Sequence, residues 1–545
     1  MSTCTNCSQP FHIRDEDKKF YDLIKVPEPT HCPTCRRQRR LAVRNERFLY
    51  KRKCDLCGDE TIATFPQESE YKVFCNSCWR SDAWSGLDYG QDFDFNRPFF
   101  EQFSELEKKV PHFATFNDVN SEDCKFTNYG LQNKSCYLAL CVFSENIYFS
   151  HGIVFSKSCI DSTKINNCEL CCECLDCLNC YQIAYSKDCE NCNESMFLDN
   201  CTGCKNSFLC TGQRNKQYMV MNQQLTKEQY QEYISQIELS YDMVEACKKK
   251  LSELSLTSPK KYIHGVNHEN CSGDYINNCK NCFESFDCAN GLTDSAYCDF
   301  CGVDSHMLHD CSFTGGGTTQ CYENVGTSSC NNVKFNYYSK PCSNSEYIQY
   351  SSGSNLFGCV GLDKKEYCIL NKQYSPEEYF HLKSQIIEHM KRTGEYGEFF
   401  PISISAYPYN ETVAYEYYPM TKEQVEAKGW KWKDKEQKEN QPATTVPPKL
   451  IQDVPREITS EILTCKKCCE NYKVMTRELA LRQQIGVPLN PYCPECRHAD
   501  RFQQRNKQKL YNRQCNKCQT SIQTTYSPNQ PEIVYCEKCY LETIY

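Results

Sequence analysis

No stretch of this 545-residue chain approaches the ~18 consecutive apolar residues that a membrane-spanning helix needs. That argues against a helical membrane protein. Catalytic signatures are missing too: there is no glycine-rich phosphate loop, nucleophile elbow or His-Glu-x-x-His. The run Gly315-Gly316-Gly317 is isolated and reads as a surface turn. An enzyme is therefore not expected, and neither is a small-molecule substrate. Excess positive charge is lacking, since the formal net charge is −8 and the pI about 5.9, so the chain is no bulk polycation. Met1 to Asn6 holds no basic run followed by an apolar one, and Cys4 and Cys7 already form a Cys-x2-Cys knuckle that leader cleavage would destroy. The expectation is a soluble, reduced, cytoplasmic protein, with a secreted disulfide protein as the alternative.

What is abundant is cysteine, 45 residues in all. In a reduced compartment such a count points to metal-bound thiolates. At the N-terminal end the pairs are Cys4/Cys7, Cys32/Cys35, Cys54/Cys57 and Cys75/Cys78, separated by 24, 18 and 17 residues. The C-terminal pairs Cys465/Cys468, Cys493/Cys496, Cys515/Cys518 and Cys536/Cys539 repeat those three intervals. CPTCR at 32–36 answers CPECR at 493–497, and VFCNSCW at 73–79 answers VYCEKCY at 534–540. A Cys-x2-Cys turn aims two thiolates at one ion, and two knuckles close a tetrahedral site with Zn–S near ~2.3 Å and no open position. About four structural Zn2+ per chain are expected, with more if the middle region also coordinates metal. Cys469 is a rival to Cys468, but the matching interval favours Cys468.

These knuckles, in the run CTNCSQPF…HCPTCRRQRR, resemble the probable zinc-ribbon domain of many uncharacterised bacterial proteins. DYGQDFDFNRPFFEQF at 88–103 and GEFFPISISAYPYNETVAYEYYP at 397–419 extend the resemblance to long zinc-ribbon proteins of candidate-phyla bacteria. It implies zinc and a zinc-ribbon or treble-clef-like fold for the end modules, and is silent on role.

Between the modules, short units of the type NKSCYL, SENIYF and SKSCID recur every ~11 residues, as stacked repeats do. At 168–180 cysteines fall on every third residue. NKQYMVMNQQLTKEQYQEYISQI at 215–237 matches KKEYCILNKQYSPEEYFHLKSQI at 364–386 at an offset of 149. Thr226 and Ser375 suit helix N-caps, with Pro376 a natural first helical residue. The predicted fold is mainly β with small α+β zinc modules: two β-solenoid-like lobes, their half-coils ~11 residues long, each closed by a capping helix. The first of these helices is expected to continue to about Leu254. The boundaries are a double zinc module at 1–82, a helical connector at 83–118, a first Cys-rich lobe at 119–257, a second at 258–395, a connector and polar linker at 396–459, and a second double module at 460–545.

Buried free cysteine behaves as a small hydrophobe, which suits a narrow interior. Two metal readings compete with that. Cys168, Cys171, Cys174 and Cys177 loosely match an iron–sulfur run but lack its Cys-Pro ending. Cys298, Cys301, His306 and His309 have zinc-ligand types and spacing.

Charge is uneven. Arg36, Arg37, Arg39, Arg40, Arg44 and Arg47 crowd the N-terminal module, followed by Lys51, Arg52 and Lys53, and Arg497, Arg501, Arg505 and Arg513 lie in the C-terminal one. Fanned from a helix starting at the second knuckle, these ten arginines are candidate phosphate contacts to nucleic acid, with Phe48, Tyr50 and Tyr511 stacking on unpaired bases. RNA is favoured over DNA because no helix-turn-helix pattern is visible. Two alternatives stand beside it: a solvated basic face, or arginines paired with the protein's own acidic middle. The competing function is a protein-interaction scaffold with structural zinc.

Overall fold

The computed structural model describes residues 1–339, 341–435 and 439–544; residues 436–438 of the expected linker and residue 545 of the C-terminal module lie outside that set. Strands dominate, and most of those in the middle region pair in parallel.

The ladder of the first lobe has a simple step. Glu145 pairs with Lys157, Lys157 with Glu169, Glu169 with Tyr181, Tyr181 with Asn193, Asn193 with Lys205, and Lys205 with Gln217. The rung is therefore twelve residues, as the Ser156-to-Cys168 hydrogen bond also spans. The recurrence near eleven is a whole rung and not half of one. The four corners of one rung, Asn167, Leu170, Glu173 and Asp176, and Asn179 that opens the next have φ of 51–55°. Each is followed by an inward, buried residue: Cys168, Cys171, Cys174, Cys177 and Cys180. One left-handed corner every third residue turns the chain after each short side. This costs energy for non-glycine residues and persists because the neighbouring rungs over-determine it.

Small groups fill most inward positions of so tight a rung, with Ile147, Ile153, Ile165, Ile183 and Leu198 interspersed. Cysteine thiols donate across it to the carbonyl nine residues on, Cys168 to Cys177 at 3.5 Å and Cys180 to Cys189 at 3.6 Å. Serine takes the same inward positions. Ser156 Oγ accepts the Cys168 amide at 3.1 Å, and Ser162 Oγ accepts the Cys174 amide at 3.2 Å. In the second lobe, 265–373, the ladder steps Thr293–His306–Thr319–Asn331–Ser343–Ser354–Glu366, so the rung varies between eleven and thirteen residues. Leu292, Leu308, Val333 and Ile348 share this core with cysteine.

Both ladders end in an antiparallel turn, Met219 with Gln224 and Cys368 with Gln373. A capping box follows each, Thr226 with Gln229 and Ser375 with Glu378. The second helix, Pro376–Thr393, closes on the left-handed Gly394. The first is not the single helix expected to reach Leu254. Lys227–Ser235 stops, and Ser240 caps a separate helix Tyr241–Ser255 by accepting the Met243 amide at 3.2 Å.

Each end module touches both lobes. In the N-terminal module Val73–Phe74 pairs in parallel with His112–Phe113, just ahead of the first lobe. In the C-terminal module Val534–Tyr535 pairs likewise with Lys260–Lys261, ahead of the second. The helices Pro33–Leu41 and Pro494–Gln503 start directly after a knuckle cysteine, with proline at the first turn. They cross over: the first lies on the second lobe and the second on the first lobe. The modules also meet, since Arg47 donates to Glu495 at 2.6 Å. Up to Trp432 the polar segment is packed, Trp430 and Trp432 joining Leu41, Tyr409 and Val425 in one cluster.

Candidate metal centres and arginine clamps

The sixteen knuckle cysteines gather into four groups: Cys4/Cys7/Cys32/Cys35, Cys54/Cys57/Cys75/Cys78, Cys465/Cys468/Cys493/Cys496 and Cys515/Cys518/Cys536/Cys539. Within each, every Sγ lies within 4.8 Å of the others, so each group could hold one metal ion. Sγ pairs drawn from different knuckles approach to 3.8 Å for Cys7–Cys32 and 3.6 Å for Cys468–Cys493. Backbone amides point at the sulfurs: Leu56 and Cys75 donate to Cys54 Sγ at 3.4 and 3.2 Å. Burial opposes ionisation of Cys54, but those donors together with the Cys57 amide outweigh it and hold the thiol at about 7. Cys465 is brought to about 6 in the same way. Burial and the neighbouring thiols push Cys78 and Cys496 of the same groups up, so one thiol per group ionises first; an all-sulfur donor set suits a soft or borderline divalent ion.

The residue after each first-and-third-pair knuckle is left-handed: Ser8, Gly58, Cys469 and Gln519, with φ of 58, 81, 62 and 63°. Cys469 thus occupies the turn position and is exposed, while Cys468 joins the group.

Among the described residues no fifth such group is found. Cys168, Cys171, Cys174 and Cys177 are buried ladder residues bonded to carbonyls. Cys298 and Cys301 donate to Leu308 and Cys311 carbonyls inside the second ladder. His309 instead stacks on Phe20 at 3.7 Å, and His306 meets Thr293 and Asp294. That set is not brought together.

The arginines turn inward. Arg36 and Arg40 pair with Asp310 at 2.9 and 3.0 Å, Arg37 with Asp299 at 3.2 Å, and Arg39 with Glu323 at 2.8 Å and Glu398 at 2.6 Å. All four are buried. The C-terminal module mirrors this on the first lobe. Arg497 and Arg501 pair with Asp161 at 2.8 and 3.3 Å, and Arg482 joins them. Even the flanking bonds repeat. Arg40 Nε donates to Ser312 and Arg501 Nε to Thr163, both at 3.2 Å. Arg40 also reaches the Tyr297 carbonyl, and Arg501 the Phe149 carbonyl.

The other four arginines are likewise engaged. Arg44 pairs with Glu46 and lies 3.5 Å over Tyr129 and 3.9 Å over Phe313. Arg47 bridges Glu416 and Glu495, and Arg505 joins Asp176 at 2.8 Å and Asp287 at 2.6 Å. Arg513 donates to the Ser527 and Glu532 carbonyls. The basic face read from the sequence as a phosphate surface is therefore an internal one, because each module's arginine helix finds carboxylates on the opposite lobe. Tyr50 is also occupied: its hydroxyl bonds Glu411 and Lys433 lies 4.0 Å over its ring. Sequence reasoning missed the acceptors. Asp161 and Asp310 stand at the same 149-residue offset as the matched segments, and that was the signal available.

No family model and no curated protein matches the chain. Among solved structures, a Desulfovibrio desulfuricans G20 protein whose crystal structure is named for an acetyltransferase is similar over 40% of this chain and 62% of that one, at 9% identity and a TM-score of 0.12.

Proposed function

We propose that this chain is a non-catalytic zinc scaffold. Four closed Cys4 zinc ribbons hold two arginine helices against two β-solenoid lobes and so present the lobes as a fixed interaction surface for protein partners. The carrying observation is the burial of Arg36, Arg40, Arg497 and Arg501 on Asp310 and Asp161. A guanidinium that is desolvated and paired inside the molecule cannot also neutralise a nucleic-acid phosphate. The scaffold reading therefore takes precedence over RNA binding through these arginines. Four thiolates per site leave no position for a catalytic water, and solenoids offer long surfaces to partners.

The test is elemental analysis of the full chain purified without added metal, combined with recovery of whatever co-purifies. Four zinc per chain, a stoichiometric protein partner and no nucleic-acid absorbance are expected. Salt-sensitive retention on RNA that is lost on charge reversal of Arg36, Arg37, Arg39 and Arg40, with fold and zinc content intact, would restore the nucleic-acid reading.

A further inference from the structure

The ladder of the second lobe starts at an uncovered end. Its first strand, Gly265–Glu269, pairs with Gly273–Phe283 on one side and, among the described residues, with no strand on the other. Just past that strand stands Cys271. It is half-buried, whereas every other cysteine of this ladder, from Cys279 to Cys368, is buried.

The register His268–Cys279 and Glu269–Lys280 carries on to place Cys271 one rung ahead of Cys282, and the Ser272 amide donates to the Cys282 carbonyl at 2.9 Å. Parallel neighbours lie ~4.8 Å apart, inside the ~4.4–6.8 Å Cα separation that a disulfide spans. Both thiols point across the rung, Cys271 to the Cys279 carbonyl at 3.5 Å and Cys282 to the Leu292 carbonyl at 3.4 Å. They also interact: the Cys282 thiol outweighs burial and holds Cys271 at about 7. Cys282 itself is 1% exposed, and the Cys271 and Cys279 thiols together with burial push it up. One member of the pair thus meets solvent and ionises near neutral pH, and the other is screened behind it.

Other thiols lack one of these properties. Cys168, Cys180 and Cys192 stack one rung apart but are buried. Cys124 is half-buried and stands a rung ahead of Cys136 at the start of the first lobe, but the Cys136 thiol and burial push it up. Cys469 is exposed but occupies a knuckle turn, with no ladder thiol behind it.

We propose that Cys271 and Cys282 form a reversible dithiol–disulfide site that exchanges with low-molecular-weight disulfides and staples the open end of the second lobe. The Cys271 thiolate attacks one sulfur of the disulfide RSSR, forming Cys271–S–SR and expelling RS⁻. Cys282 gives its proton to that thiolate and attacks the Cys271 sulfur, expelling the second RS⁻, which takes a proton from solvent. Two protein thiols lose two electrons, and RSSR becomes two RSH. An attacking thiol whose pKa lies near ambient pH suits this exchange. The disulfide ties the first rung to the second, and reduction frees it to fray. The site is independent of the metal centres and the arginine clamps, and the scaffold reading stands or falls without it.

The test treats the full chain as purified with oxidised glutathione, blocks the remaining thiols and maps unreduced peptides by mass spectrometry. A Cys271–Cys282 linkage is expected, undone by reduced glutathione, with a rate that climbs up to about pH 7 and flattens beyond it. Cys282→Ser should trap the first step, leaving one glutathione on Cys271 and no linkage. Serine already fills inward positions at Ser285 and Ser295, and circular dichroism checks that the variant folds. Amide exchange over 266–269 should slow by about tenfold or more in the oxidised chain, because the closed loop removes entropy from the frayed state. Glutathione on exposed Cys469 with Cys271 unmodified in both proteins would overturn the proposal. So would a mixed disulfide on Cys271 of the parent that never resolves, or a Cys124–Cys136 linkage that forms first.

Discussion

Asp161 is met by three guanidiniums, those of Arg482, Arg497 and Arg501, and Asp310 by two, those of Arg36 and Arg40. Removing one side of such a buried group leaves uncompensated charge, which costs about 3–5 kcal/mol. Asp161→Asn and Asp310→Asn should therefore each shift the first urea transition to lower denaturant by that amount; a shift under about 1 kcal/mol, the range of an exposed pair, would mean that the clamps are solvated. Acid should act on the same contacts. Burial pushes the Glu46 carboxyl up, but Arg44 and His151 outweigh it and hold it at about 2; Glu398, with His31 and Arg39, is likewise held at about 2. A carboxyl depressed in the folded state contributes stability that is fully present above its unfolded value near ~4.3 and is lost as pH falls towards ~2. Glu46→Gln should flatten part of that acid limb in a stability-versus-pH series, beyond the loss that protonation of the knuckle thiolates causes in both proteins.

The ladders make a different kind of demand. Inward positions one rung apart hold Ser162, Cys174 and Ser186, and both serines accept an amide from the next rung. Cys174→Ser should therefore cost under about 1 kcal/mol by thermal denaturation, whereas Cys174→Leu overpacks the rung and should cost about 1–3 kcal/mol. Equal effects would mean that the interior is slack. This element was half legible in the sequence. Cysteine at every third residue from 168 to 180 announced a repeat, and the caps at Thr226 and Ser375 were read correctly because N-capping is local chemistry. The rung length was misjudged because corners at Leu170 and Glu173 carry no glycine to mark them. The break before Ser240 was missed because it depends on one serine hydroxyl in an otherwise helical pattern.

At the scale of the molecule, the knuckle spacing alone grouped the cysteines, since four thiolates on one ion need two knuckles and nothing else. That the arginines could pair with the protein's own acidic middle was one of the alternatives legible in the sequence; which carboxylates they meet was not, because it depends on which lobe each module reaches. The crossing makes metal and architecture one system. Stripping zinc with a chelator should free both arginine helices, and small-angle scattering should report a larger radius of gyration that returns on adding zinc. An unchanged radius in metal-free protein would show that the carboxylate pairs suffice alone.

The crossed arrangement also sets an order of events during synthesis. Arg40 waits for Asp310, 270 residues further on, which at ~5–20 residues per second is roughly 15–55 s of translation. Through that interval the first module can gather its thiolates but cannot fasten, so its cationic helix faces solvent or a chaperone unescorted. Only the last-made module, whose partners already exist, can latch as soon as it emerges.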